Sequence, residues 1–591
     1  YEIKVTVKNT GDVVGMDVVE LYGHAPYYYY GIEKPYVTLL DFAKTPLLYP
    51  EAEASVDKPN STTVTLTFDP YYLASYDYYD LNGNNFAGYE LDPVIAGADS
   101  NYCLFVSQNS HTAKETIPFN VPATGIQYSR DPVTGTRVVN RYTDNEDARL
   151  NSDYHITASG SQYLTRGDWE GTMPQPAVSE DKDEREVSDQ LISFLKSTPY
   201  TNFKQQEVAK PSSLSKDLIV NYRDMLYNKG IYGFGDNVAD EDKWQAFTSY
   251  DDGRWEYLLN ATNASELLNM INYGAFQSGA LQSIGKPLTN DTDGPAGFVN
   301  FMLNDGTYWG TAYYAAQINI ASTWSEDVAN EFGQMVGNEG IWGADGHGNG
   351  MSYSGWYAPG CNIHRSPFGG RNFEYMSEDA IFTGKMAAAQ IRGCQSKGVY
   401  CFVKHFAVND QETHRSINGV SAWLSEQALR ETYLRAFEII VKEGGTRAMM
   451  SSFNRIGSVW AGGDYRLLTN ILREEWGFRG TVISDFTSGS YMNARQMAYA
   501  GGDLNLNNQS KYAWSDFDAN NANDVDTLRK CAKNVLYTVL NSNAMNREII
   551  GYNLPIWQII LIVADCAIVV GLGVWGFFAV RKALKNDEQA Q

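Results

Sequence analysis

The chain has 591 residues, 43% apolar and 20% charged, with a formal charge of −24 from 46 basic and 70 acidic side chains. So long a chain divides among roughly three or four cores, and its composition is that of a globular rather than a disordered protein. The acidic excess argues against nucleic acid or an anionic lipid surface as the main partner, because a polyanion would be repelled.

The opening YEIKVTVKNTGD alternates Ile3, Val5 and Val7 with polar residues and ends in a turn, and DVVELY follows as the expected return strand. Further on, STTVTLTF sets Val64, Leu66 and Phe68 on one face. Short alternating strands separated by turn signals predict an antiparallel β-sandwich over residues 1–120. The strand pattern begins at Tyr1 with no leader, so we expect this chain to be the C-terminal part of something longer.

Residues 121–240 are irregular and rich in Pro, Gly, Thr and Asp, and the run SEDKDERE reads as a solvated helix start. A connector with some helices is expected there. From about Trp244, over 241–545, helical stretches such as ASELLNMINYGAF and SEQALRETYLRAFEIIVKEG alternate with the apolar runs GVYCFV, TRAMMSS and GTVIS. Strands alternating with helices mean a parallel sheet. Polar groups follow several runs: KH after CFV, SFN after AMM, SDF after GTVI. Functional side chains at the carboxyl ends of successive strands are the habit of a (β/α)8 TIM-like barrel.

Leu554 to Val580 is long and apolar enough to span a bilayer as a transmembrane helix. RKALK follows it, so the positive-inside rule puts the tail, 581–591, in the cytoplasm and all that precedes the helix outside the cell membrane. Within the span, GLGVWG (Gly571 to Gly576) matches a dinucleotide-binding pattern letter for letter, yet it has neither the preceding strand nor room for a βαβ unit; helix packing explains its small residues better. Asp565 is the odd residue there. A carboxylate near mid-bilayer costs about 2.5–3.5 kcal/mol, so it should be protonated or paired with a second membrane helix, upstream or in another copy of the chain.

Candidate chemistry collects at the strand ends. Asp293 lies in TDGPAGF, Arg365 in NIHRSP, Arg371 and Glu374 in GGRNFEYMSED; Lys404, His405, Glu412 and Arg415 lie in VKHFAVNDQETHR, and Asp485 in TVISDF. Asp485 ends a very apolar strand, so it should be partly desolvated and needs cations nearby to stay ionised. Many donors around an ionised Asp suit a polyhydroxylated ligand. Phosphate is less well served, since no Gly-rich phosphate loop is present. The six cysteines form no C-x-x-C and no H-E-x-x-H occurs, so no metal and no cofactor are expected.

In order and spacing, DTDGPAGF, AQINIASTW, APGCNIHRSPFGGRNFEYMSED, VKHFAVNDQETHR, MMSSFNRIG and GFRGTVISDF, from about Asp251 to Asn508, resemble the barrel domain of glycoside hydrolase family 3, β-glucosidase type. The N-terminal sandwich resembles that family's fibronectin-III-like domain, which usually follows the barrel; here it precedes it, a permuted order. The resemblance implies a retaining, exo-acting β-glucosidase that releases terminal non-reducing β-D-glucose from a β-linked glucoside or oligosaccharide. Asp485 matches the nucleophile. Asp293, Arg371, Lys404, His405 and Arg415 match positions that hold the sugar in the first subsite, with Arg365, Glu374 and Glu412 in support. His347 and His414 read as loop residues.

Two departures matter. The family usually has a tyrosine where Phe453 stands, and the missing hydroxyl would tune Asp485 differently. The β-glucosidase type also takes its acid/base Glu from a separate α/β sandwich domain, which in the permuted order would lie upstream of Tyr1. No acid/base residue is assigned in this chain, and poor hydrolysis by the chain alone is expected. KHFAVNDQ in place of KHFPGHG argues against the N-acetylglucosaminidase branch. A β-xylosidase or arabinosidase is the rival within the class, and a non-catalytic sugar-binding membrane protein the rival outside it.

Overall fold

The computed structural model describes residues 1–29, 31–94, 100–142, 163–173, 249–251, 255–298, 311–342, 353–546 and 556–590. Most of the expected connector, the SEDKDERE run and His347 lie outside them. The chain divides into two compact units, Tyr1–Met545 and Asn546–Gln591.

The first unit begins with nine strands: β1 (Glu2–Lys8), β2 (Val18–His24), β3 (Thr38–Lys44), β4 (Ser61–Thr67), β5 (Ser75–Asp77), β6 (Gly88–Leu91), β7 (Cys103–Ser107), β8 (Glu115–Pro118) and β9 (Ile126–Tyr128). All pair antiparallel, as β1–β4, β3–β2–β7–β8 and β5–β6–β9. The period-2 patterns hold: Val64, Leu66 and Phe68 are buried while their neighbours are not. Leu21, Leu40, Leu66, Leu91 and Leu104, one from each of five strands, share a single core.

One expectation needs correction. The strand DVVELY does not return against β1; β1 pairs with β4, Lys8 opposite Ser61, and β2 pairs with β3 and β7. After residue 120, β9 pairs with β6 and completes its sheet.

The α/β part of the unit carries β10 (Asp291–Asp293), β11 (Gly355–Tyr357), β12 (Tyr400–Phe406), β13 (Ser421–Ala422), β14 (Ala448–Ser451), β15 (Arg455–Ile456), β16 (Val459–Trp460) and β17 (Thr481–Ile483). Its main helices are α1 (Ala264–Asn272), α2 (Glu326–Trp342), α3 (Ala380–Gln395), α4 (Arg435–Lys442) and α5 (Ala522–Leu540). Five strands form an all-parallel sheet in the order β10–β11–β12–β14–β17. Every residue of β12 and β14 is buried, which is why these strands read as continuous apolar runs and not as alternations.

Two irregular segments prolong the hydrogen bonding beyond the edges of this sheet. Ser484 N donates to Leu504 O at 2.9 Å and Thr487 N to Leu506 O at 3.0 Å. Gly274 N donates to Asn505 O at 2.9 Å, and Asp291 N to Phe276 O at 2.8 Å. The bonded path therefore returns from β17, through 504–506 and 274–276, to β10. Five regular strands and two such segments are what the described residues contribute to the expected count of eight.

Buried ion pairs join the sandwich to the α/β part. Glu426 accepts the backbone N–H groups of Arg141, at 2.9 and 3.0 Å, and Tyr142, at 2.9 Å, as well as Arg430 Nε at 2.9 Å. Arg430 also donates to Glu475 at 2.9 Å and lies 4.7 Å from the Tyr76 ring. Tyr71 Oη donates to Glu438 at 2.9 Å, and Lys442 pairs with Asp131. Charges stripped of water persist only when paired this fully.

The second unit holds α6 (Ile556–Ala590). Its segment Val563–Lys582, 20 residues of mean hydropathy 2.1, is long and apolar enough to cross a membrane. Asp565 and the GLGVWG glycines all lie within this helix.

Candidate active site

The carboxyl ends of the parallel strands gather the expected side chains. Asp293 ends β10, Lys404 and His405 lie near the end of β12, Phe453 follows β14, and Asp485 follows β17. Adjacent residues of a regular strand point to opposite faces. The register of β12 against β14 shifts between Val403 and Phe406, and both Lys404 and His405 reach groups of the same site.

Asp485 is buried. Its Oδ2 accepts from Arg415 Nη1 at 3.1 Å and lies 3.7 Å from His405 Nε2, while its Oδ1 accepts from Phe486 N at 2.7 Å. Desolvation pushes the carboxyl above the usual aspartate range; Arg415, Arg371, the Phe486 N–H and Lys404 oppose that push without cancelling it.

Lys404 Nζ donates to Asp293 Oδ1 at 2.7 Å and sits 3.2 Å from Glu374 Oε1. Burial pulls the ammonium down, but Asp293 and Glu374 outweigh it and raise it above the usual lysine range. Arg371 grips Glu374 with two parallel bonds, Nε–Oε2 at 2.6 Å and Nη2–Oε1 at 2.5 Å. Burial works against the Glu374 carboxylate, yet Lys404 and Arg371 prevail and hold it down at about 2. Glu412 ties the second arginine: its Oε2 is 2.6 Å from Arg415 Nε, and its Oε1 is 3.6 Å from Arg371 Nη1.

His405 is buried, and burial, with the charges of Arg371, Lys404 and Arg415, depresses it well below the usual histidine range, so it is neutral. Its Nδ1 faces Tyr375 Oη at 2.9 Å. Its backbone N–H donates to Asn362 Oδ1 at 2.8 Å.

Phe453 has a role the missing hydroxyl did not foretell: the Arg415 guanidinium stacks 4.5 Å from its ring centre. A hydroxyl reaches the neighbourhood from another residue, since Tyr491 Oη donates to Arg415 O at 3.1 Å and to Phe453 O at 3.2 Å. Arg365 stands apart. It is exposed, lies 6.0 Å from the Tyr433 ring, and has no ion pair with the Asp485 cluster among the described residues. Its charge acts instead on Asp410, which burial raises to about 7. His414 is exposed, ahead of the short helix that carries Arg415. Asn362, Tyr375, Asn409 and Tyr491 were not singled out from the sequence. Asn409 stands four residues after His405 inside the same motif, and Tyr375 directly follows Glu374, the only signals available.

Residues 258–527 match the family described as Glycosyl hydrolase family 3 N terminal domain. The chain is 40% identical over 232 residues to Beta-glucosidase A of Butyrivibrio fibrisolvens, covering 39% of this chain and 26% of that one. It is 29% identical over 497 residues to a Beta-glucosidase of Ruminococcus albus, covering 82% of this chain and 43% of that one. Among solved structures, a beta-glucosidase from Paenibacillus barengoltzii matches with a TM-score of 0.63 and 25% identity, over 92% of this chain and 53% of that one. The chain spans less than half the length of these two curated relatives.

In fold, site and sequence the chain is similar to glycoside hydrolases. More particularly, its residues 258–527 are similar to the N-terminal domain of glycoside hydrolase family 3.

Proposed function

We propose that this chain carries the nucleophile and first sugar subsite of a retaining, exo-acting β-glucosidase. One observation carries the reading: a buried carboxylate, Asp485, follows the end of β17 within 3.1 Å of Arg415 and 3.7 Å of His405, beside the Lys404–Asp293 pair. Asp485 attacks the anomeric carbon, forming an ester bond as the glycosidic C–O bond breaks and the leaving oxygen takes a proton. Water then cleaves the ester with retention. Arg415 keeps the carboxylate ionised for the first step; Lys404, Asp293, Arg371 and His405 bind hydroxyls.

A retaining site needs a second carboxyl group about 5–5.5 Å from the first. Glu374, Glu412 and Asp293 are all engaged with cations. The reading takes the acid from a glutamate of an α/β sandwich domain outside the described residues. It takes the N-terminal sandwich as fibronectin-III-like, the α/β part as a (β/α)8 barrel in permuted order, and α6 as a membrane anchor with the site outside and the basic tail in the cytoplasm.

The test is incubation of the full-length chain with an activated 2-fluoro-glucoside, followed by peptide mass spectrometry. A glucosyl adduct on Asp485 supports the reading; an adduct elsewhere, or sugar binding with none, sinks it.

A further inference from the structure

The groups behind His405 carry an inference that rests on the sugar-binding reading of the site. His405, Tyr375 and Asn409 are 2%, 4% and 1% exposed, so their polar atoms depend on partners inside the protein, and Asn409 Oδ1 has none among the described residues. Asn409 Nδ2 donates to Tyr375 Oη at 2.7 Å and to Glu412 Oε1 at 3.1 Å, and lies 3.3 Å from His405 Nδ1. Ionised Glu412 can only accept, so it fixes which end of the Asn409 amide faces it. Tyr375 has one hydroxyl proton. Its oxygen takes the Asn409 bond, and His405 Nδ1, at 2.9 Å, is where that proton can go. A neutral imidazole that accepts at Nδ1 carries its proton on Nε2.

We propose that Glu412, Asn409 and Tyr375 form a hydrogen-bond chain that holds His405 in its Nε2-protonated tautomer, so that the ring presents a donor, not a lone pair, to Asp485 and to a sugar hydroxyl beside it. Tyr375 and Asn409 are positioning residues. In the other tautomer a lone pair would face Asp485 Oδ2 at 3.7 Å, and the buried Tyr375 proton would lose its acceptor. The backbone supports the arrangement. Gly360 leaves room for the tyrosine, since a Cβ there would stand 2.7 Å from its ring, and Arg371 lies 5.9 Å from the ring centre.

The test is 15N NMR of the histidine rings in the full chain, with His405 assigned among the seven histidines by its loss in His405→Gln. The expected parent spectrum shows the proton on Nε2. In Tyr375→Phe the Nδ1-protonated form grows in, and kcat/KM falls about tenfold with its acidic limb moved to higher pH, as loss of a hydrogen bond to a charged group predicts. A proton on Nδ1 in the parent overturns the proposal, and so does an unchanged tautomer in Tyr375→Phe. Should that variant fail to fold, Asn409→Ala replaces it: a mixture of tautomers is expected, and a pure Nε2 form overturns the proposal. The ring signal needs no substrate, so failure of the glucosidase reading and failure of the tautomer chain are told apart.

Discussion

The guanidinium of Arg415 lies 4.5 Å from the ring centre of Phe453 and 3.1 Å from Asp485 Oδ2, so one aromatic face sets the position of the cation paired with that buried carboxyl. Phe453→Tyr preserves that face and should leave kcat/KM within about threefold of the parent. Phe453→Leu removes it, with an expected loss of about five- to thirty-fold, the range of a desolvated cation–π contact. Steady-state kinetics on an aryl β-glucoside decides; equal effects of the two variants would show that the ring does not position Arg415.

Burial raises Asp485, and the proposed nucleophilic role requires it to be ionised. Activity should therefore fall as pH drops through a value above the usual aspartate range, giving an acidic limb displaced upward. Arg415→Gln removes the main opposing charge and should move that limb higher still, with kcat/KM down by at least about a hundredfold. A pH–rate profile whose acidic limb is identical in the two proteins would refute the assignment.

Glu374 supplies the opposite sign. Its folded value of about 2 lies below its ordinary 4.5, so its contribution to stability is complete above about pH 4.5 and is lost as pH falls toward 2. Urea unfolding between pH 6 and 3 should show a decline in the parent that is shallower in Glu374→Gln, which starts from a lower stability. Parallel curves would remove Glu374 from that role.

Glu426 holds backbone from the far side of the sandwich interface and the side chain of Arg430 at once. Glu426→Ala leaves a buried guanidinium short of a partner and should cost about 3–5 kcal/mol in chemical unfolding. A loss below about 1 kcal/mol would mean that water enters the interface readily.

If α6 spans a membrane, the full chain should resist alkaline extraction from membranes while a chain ending at residue 550 should not. Cys566, exposed on that helix next to Asp565, provides a probe. Oxidative cross-linking at Cys566 that disappears in Asp565→Leu would place the carboxyl at a contact between two copies; cross-linking indifferent to Asp565 would not.

Local pattern carried much of this structure. Val64, Leu66 and Phe68 announced a half-buried strand, and GVYCFV, TRAMMSS and GTVIS announced buried ones, because solvent exposure alternates or vanishes residue by residue. Pairing was not legible: β1 finds β4 more than fifty residues away, a choice made by the shared core and not by the turn after Lys8. At the site, charged residues that directly follow apolar strands stood out. Tyr375 and Asn409 did not, since their importance lies in distances to His405 that no spacing encodes, and Phe453 showed only an absent hydroxyl until its ring met Arg415.

The interface carboxylates Glu426, Glu431 and Glu438 are answered from the sandwich side by Arg141 and Tyr142, by the Tyr76 backbone, and by Tyr71. The sandwich is thus no detachable module. A chimera that grafts this α/β part onto a foreign sandwich inherits acids without counterparts, and it will fold well only if the strip from Tyr71 to Tyr76 and the stretch from Asp131 to Tyr142 travel with the graft.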